Sequence, residues 1–187
     1  MVAVRSLCTK GFLLKNGQIS SRGNINEVVN DYQLLFSPSS KSVFDAESEL
    51  AGNSLIGLNS IELENGNGQG SFLITEPLTI KVSFTNKEIS TPVNINLFFN
   101  TPDGTNIFAT CSIPEVFNKE TAYLKCKIPA NFLNDNVYSI DVMAVTEYTT
   151  ILLVREALTI EGIEPSREGE WMGKFPGFIR PTLEWIS

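Results

Sequence analysis

The chain has 187 residues, 42% hydrophobic and 19% charged, which are the proportions of a globular chain with room for one domain and an appendage. Its formal net charge of −7 and pI of about 4.7 exclude the basic footprint that nucleic acid or an anionic membrane surface would need. Histidine is absent, which removes the commonest general base and the commonest metal ligand together. The cysteines Cys8, Cys111 and Cys126 form no CxxC pair, and this odd, widely spaced set suits a reducing compartment. Cys111 and Cys126 sit in strand-like runs and read as small core residues. No apolar run approaches the roughly 18 residues of a membrane helix. The N-terminus has no charged-then-apolar signal pattern, so the chain reads as cytoplasmic, or as cut from a larger cytoplasmic protein.

Residues 1–36 have a pattern of their own. Val2 to Cys8 reads as the end of a helix, and Gly11–Leu14 and Gln18–Ser21 as short strands around an Asn16-Gly17 turn. Asn24 is a helix N-cap with Glu27 three residues on, ahead of Val28, Val29, Tyr32, Leu35 and Phe36 at helical spacing. So short a helix–hairpin–helix cannot bury a core alone, and it reads as the tail of another domain. Residues 37–52 are polar, rich in Ser, Pro and acids, and are expected to be a linker; the plainer reading is a long loop packed through Val43 and Phe44.

Residues 53–187 carry strands. Ser54–Leu63 is the first, closed by a Gly-rich turn. Pro77–Thr85 puts Leu78, Ile80, Val82 and Phe84 on one face. Val93–Asn100 and Thr105–Ile113 flank Thr101-Pro102-Asp103-Gly104, a turn in which Pro pre-sets φ, Asp bonds its own backbone and Gly supplies a left-handed conformation. Thr121–Ile128, Val137–Val145 and Ile151–Ile160 complete seven strands with no helix between them, the pattern of an all-β, antiparallel immunoglobulin-like or jelly-roll sandwich. Tyr138 is placed like a corner tyrosine whose hydroxyl returns to the backbone. Three prolines and three glycines after Glu164 forbid a regular helix there, and Pro181–Ile186 can add an edge strand.

Catalytic signatures are missing. Gly173-Lys174 is no phosphate loop, because Phe175 stands where Ser or Thr is required. The carboxylate pairs Glu62/Glu64 and Glu168/Glu170 have the composition of a glycosidase pair, but acids at alternate exposed positions are ordinarily a solvated strand face. No metal and no cofactor is expected, and the chain is read as non-enzymatic. The unusual surface is the outer face of the third strand, where Asn94, Asn96, Phe98 and Asn100 stand in place of the Lys, Glu and Thr of plain solvated sheet. In a seven-strand sandwich the third, sixth and seventh strands share a sheet, which adds Ser139, Asp141 and Met143 and then Arg155 to that face. Amides, a carboxylate, a guanidinium and a phenyl ring suit sugars, whose hydroxyls both donate and accept and whose C–H faces stack on rings. These eight residues are the candidate carbohydrate site.

Two stretches resemble one family. Cys8, Gly11, Phe12, Leu14, Gly17, Ile19, Gly23, Val29 and Tyr32 match, in order, the last segment of an ABC-transporter ATPase domain. The rest is similar to the C-terminal domain of the polysaccharide-exporting, O-antigen (Wzt-type) subgroup: Ile56–Leu63, Glu76-Pro77-Leu78-Thr79-Ile80, Pro102-Asp103-Gly104, Val137-Tyr138-Ser139-Ile140 and Arg180-Pro181-Thr182-Leu183-Glu184-Trp185. Asn134-Asp135-Asn136 stands where that subgroup has Pro-Gly. The resemblance implies a non-catalytic domain that binds a finished lipopolysaccharide-type O-antigen glycan for export. It implies a homodimer, partnered with the ATPase domain and the permease, cytoplasmic and peripheral to the inner membrane. The alternative is a dimerisation or interaction module without glycan binding, working through Trp171, Phe175, Phe178 and Trp185.

Overall fold

The computed structural model describes residues 2–15, 17–35, 37–88, 91–102, 104–117, 121–147, 149–165 and 175–186. The chain divides into two compact units, residues 1–37 and 38–187.

The first unit is α1 (Val2–Leu7), β1 (Lys10–Lys15), β2 (Gln18–Asn24) and α2 (Ile25–Leu35). β1 and β2 form an antiparallel hairpin, and the Asn24 side chain caps α2 by accepting the Asn26 N–H at 2.9 Å. Ile25, Val28 and Val29 of α2 and Leu13 of β1 are buried. Phe12, Leu14 and Ile19 lie on the hairpin's other face and are exposed.

The second unit is a two-sheet sandwich, the all-β class that the alternation predicts. Its strands are β3 (Lys41–Val43), β4 (Ile56–Leu63), β5 (Ser71–Leu73), β6 (Leu78–Asn86), β7 (Asn94–Asn100), β8 (Asn106–Cys111), β9 (Thr121–Ile128), β10 (Val137–Thr146) and β11 (Thr149–Ile163). One sheet runs β3-β4-β6-β9 and the other β5-β11-β10-β7-β8, antiparallel throughout except for β5 beside β11. The apolar alternations do what their period dictates. Leu78, Ile80, Val82 and Phe84 face Ile95, Leu97, Phe99, Tyr138, Ile140, Val142 and Ile160 in one buried core. Each such side chain contributes about 1.5–3 kcal/mol by leaving water. Phe99 stacks on Phe108 with centroids 4.5 Å apart, and Phe108 meets Phe132 edge-on at 5.3 Å. The corner tyrosine is present. Tyr138 is fully buried, its hydroxyl accepts the Asn134 N–H at 2.9 Å, and the carbonyls of Asn134 and Phe178 lie at 2.8 and 2.7 Å.

The stretch read as a linker over 37–52 is different in the structure: from Pro38 it is built into the sandwich. The Ser39 N–H donates to the Thr159 carbonyl, the Leu63 N–H to the Ser40 carbonyl, and Lys41–Val43 pairs with β4. Gly70 has φ +81°, and a Cβ there would come within 2.2 Å of the Ser39 nitrogen, so the close approach of this segment requires glycine. Phe44 packs on the core while Val43 stays exposed. The segment was illegible as structure because a three-residue edge strand carries no periodicity. β5 escaped notice for the same reason. Among the described residues no helix is long and apolar enough to cross a membrane.

Candidate functional site

The 101–105 turn fixes the register of β7 against β8. The Gly104 N–H reaches the Thr101 carbonyl at 2.9 Å with Gly104 at φ +87°, and the Thr105 N–H reaches the Thr101 hydroxyl at 3.0 Å. Asp103 lies outside the described residues. On its other side β7 pairs with β10, so Asn94 stands opposite Val145, Asn96 opposite Met143, Phe98 opposite Asp141 and Asn100 opposite Ser139. The third, sixth and seventh strands read from the sequence (β7, β10 and β11) share one sheet, as the sandwich pattern predicts. The sheet also takes in β8, which adds Ala109 beside Phe98 and Cys111 beside Asn96. Leu153 of β11 pairs with Met143 and Thr159 with Ser139. The outer face is therefore a lattice whose middle rows are Cys111-Asn96-Met143-Leu153 and Ala109-Phe98-Asp141.

The candidate residues are not equally available. Asn94, Asn96, Phe98 and Met143 are half-buried and Arg155 is exposed. Asn100 and Ser139, expected on an open surface, are buried, with 7% and 3% of their area exposed. The Asn100 side-chain oxygen is occupied by the Asn106 amide at 3.0 Å. Asn96 Nδ2 and Ser139 Oγ are buried atoms without a hydrogen-bond partner among the described residues. A buried polar group in that condition costs about 1–3 kcal/mol.

Asp141 has a role that the sequence did not show. β10 and β11 shift register between Ile140 and Val142, so that residues 155–157 of β11 oppose Asp141 alone. Glu156 in that bulge has φ +50°, a left-handed backbone unusual for a residue with a side chain. Its N–H donates to Asp141 Oδ1 at 2.7 Å. One carboxylate oxygen is thus engaged in holding the bulge. Arg155 lies in the same bulge, without a register partner of its own in β10. No sequence pattern marks a bulge whose left-handed residue is Glu rather than Gly or Asn.

Other candidates carry less. Glu62 bridges Lys41 and Lys81, each at 2.9 Å, and those two lysines hold its carboxyl below the usual range, the reverse of a raised general acid. Glu64 pairs with Lys125 at 2.7 Å. Glu168, Glu170 and Trp171 lie outside the described residues. Cys111, expected in the core, is exposed, because it falls on the outward register of an edge strand; Cys126 does point inward and is half-buried. Both line an apolar cavity of about 140 Å³ between β8 and β9, bounded by Val82, Ile95, Leu97 and Leu124. Among the described residues no three His, Cys, Asp or Glu side chains converge as metal ligands. In the tail, Phe175 lies under the Arg180 guanidinium at 4.2 Å, and Leu183, Trp185 and Ile186 are exposed.

The fold is that of the C-terminal domain of wzt. The crystal structure of that domain matches with a TM-score of 0.52 at 13% identity, over 81% of this chain and 86% of that one. A Pyrococcus furiosus CARDB domain determined with di-metal ions matches at a TM-score of 0.39 and 14% identity, over 65% of this chain and 100% of that one. A Parabacteroides merdae β-glucuronidase matches at 0.34 and 19% identity, over 57% of this chain and 13% of the enzyme. Neither carries an argument. No protein-family model matches the sequence, and no curated protein matches it significantly.

Proposed function

We propose that the chain is the glycan-recognising, non-catalytic C-terminal part of a polysaccharide-exporting ABC ATPase subunit, and that the glycan lies on the outer face of the β8-β7-β10-β11 sheet. The observation that carries this is the in-register lattice of Asn94, Asn96, Phe98 and Met143, four half-buried side chains on one face of the sheet. Sugar hydroxyls satisfy amides in both directions, and Phe98 offers a ring to an apolar sugar face. The wzt-like fold and the residue resemblance of both units support the same reading. The exposed apolar face of the first unit (Phe12, Leu14, Ile19) suits a segment that completes an ATPase domain. In this reading the export site is cytoplasmic and the partners are the ATPase domain and the permease.

Each hydrogen bond to a sugar adds about 0.5–1.5 kcal/mol, so the site gains affinity from several contacts and still releases its polymer. The test is binding of the full chain to bacterial polysaccharides, with Phe98→Ala as the variant. Phe98 is half-buried on the outer face, and its loss should leave the core intact while weakening binding about tenfold or more, the worth of one ring contact of about 1.5 kcal/mol. Unchanged binding by Phe98→Ala would place the site elsewhere. The second reading, an interaction module, is favoured by the exposed Leu183, Trp185 and Ile186 of the tail. Trp185→Ala would then dissociate a dimer in light scattering and leave glycan binding absent in the parent as well.

A further inference from the structure

We infer that the polysaccharide taken by this face is a neutral glycan, and that the face discriminates against chains carrying carboxylates or phosphates. This rests on the glycan reading and goes further, to the substrate class. The two sheets divide the charge of the sandwich between them. The four-stranded sheet carries Lys41, Lys81, Lys125 and Lys127 against Glu62. The five-stranded sheet carries no lysine. In its strands Arg155 is the one cation, set against Asp141, Glu156 and Glu161.

The placement of those groups sharpens the point. Asp141 and the Glu156 backbone are locked together at the bulge, so a carboxylate stands permanently beside Phe98 at the centre of the lattice. Arg155 and Glu156 are consecutive exposed residues of the same bulge, so the one cation of these strands comes with a carboxylate next to it in the chain. Glu161 stands opposite Val137 and Ser71 at the far end. Everything else on the two middle rows is uncharged: amide, thioether, thiol, methyl and phenyl. A chain with an acidic group in each repeat would bring its charge against Asp141 in the middle of the strip and Glu161 at its end, with no lysine in the sheet's strands to receive it, on a protein already at net −7. A neutral polyol meets the same acceptors as hydrogen-bond partners, and its apolar edges meet Met143, Leu153 and Phe98.

The test is a panel of neutral and acidic bacterial polysaccharides offered to the full chain, with one acidic member also offered after its carboxyl groups are reduced to alcohols. The expected binders are neutral, with affinity changing less than about twofold between roughly 20 and 300 mM salt, because hydroxyl recognition is not screened. The carboxyl-reduced polymer should bind about tenfold or more better than its native form at low salt, and Glu156→Lys with Glu161→Lys should narrow that gap. An acidic polysaccharide as the tightest ligand, weakening as salt rises, would overturn the neutral-glycan inference and leave the glycan reading standing. A folded chain that binds no member of the panel would overturn the glycan reading itself.

Discussion

If Asp141 is first a backbone clamp, its removal should unfold the protein more readily before it does anything to a ligand. The carboxylate is 9% exposed and accepts the Glu156 N–H at 2.7 Å. A hydrogen bond to a charged acceptor is worth about 1.5–3 kcal/mol. Glu156 itself is exposed, so water can take over its N–H in part, which puts Asp141→Ala near the lower end, about 2 kcal/mol. With a urea slope of about 1–3 kcal/mol/M this moves the midpoint down by about 1 M, read by circular dichroism of the sheet. The partner position gives the opposite sign. A glycine in mid-strand ordinarily costs roughly 0.5–1 kcal/mol. At φ +50° it also removes a left-handed penalty of roughly 1–2 kcal/mol. Glu156→Gly should therefore leave stability unchanged or raise it by up to about 1.5 kcal/mol, while Arg155→Gly, one residue earlier, should lower it. If Asp141→Ala shifts the midpoint by less than about 0.3 M, or Glu156→Gly loses as much as Arg155→Gly, the clamp is not what holds the bulge.

Two further outcomes follow from buried or bridged groups. Burial pushes the Tyr138 phenol up to about 12, with the Asn134 hydrogen bond opposing. Its neutral form is thus favoured in the fold, and the stability this contributes is complete below pH 10 and is lost between about 10 and 12. Of the four tyrosines, one should form phenolate late in a 295 nm titration, together with loss of the sheet signal. Tyr138→Phe should cost about 0.5–1.5 kcal/mol by removing the hydroxyl's bonds to the Asn134 and Phe178 carbonyls, while the Asn134 N–H keeps the Phe178 carbonyl at 3.0 Å, and should speed proteolysis of the tail beyond Phe175. Glu62 is held low by Lys81 and Lys41, so its contribution is present above the unfolded carboxyl pKa and falls away as the pH drops through the lowered folded value. Glu62→Gln should flatten that acid limb and cost about 1 kcal/mol at neutral pH, less in high salt, since the lysines stay partly exposed. An acid limb unchanged in Glu62→Gln would assign it to other carboxylates.

The long strands were legible because each has one wet face and one dry face. Leu78, Ile80, Val82 and Phe84 alternate without a break, and so do Val93, Ile95, Leu97 and Phe99; a period of two leaves only one register that buries them. Tyr138 was legible for a different reason, its position at the start of a late strand, where a hydroxyl can reach back to the preceding loop. What could not be read are the elements made by non-local pairing alone. Lys41–Val43 and Ser71–Leu73 are three residues each, and their partners Ser60–Glu62 and Glu161–Ile163 lie far along the chain. Their polar, Gly-rich surroundings have the composition of loops, and at Gly70 both the left-handed φ of +81° and the backbone that passes over it require glycine.

The candidate site was legible as a face but not as a set of contacts, and the reason lies in what alternation measures. A period of two says which residues share a side of a sheet; it does not say which of them a neighbouring strand has already used. Asn96, Phe98, Asp141 and Met143 do lie together, as the pairing of β7 with β10 requires. Asn100 is spent on Asn106, a residue of the edge strand, and Asp141 is spent on the backbone of residue 156, fifteen positions later. Both debts fall at the ends of strand pairings, at a turn and at a bulge, where the regular hydrogen-bond ladder stops and side chains must complete it. The residues left over for a ligand are those in mid-strand, where the ladder is satisfied by backbone alone. Asn96, Phe98 and Met143 meet that condition, and the functional reading rests first on them.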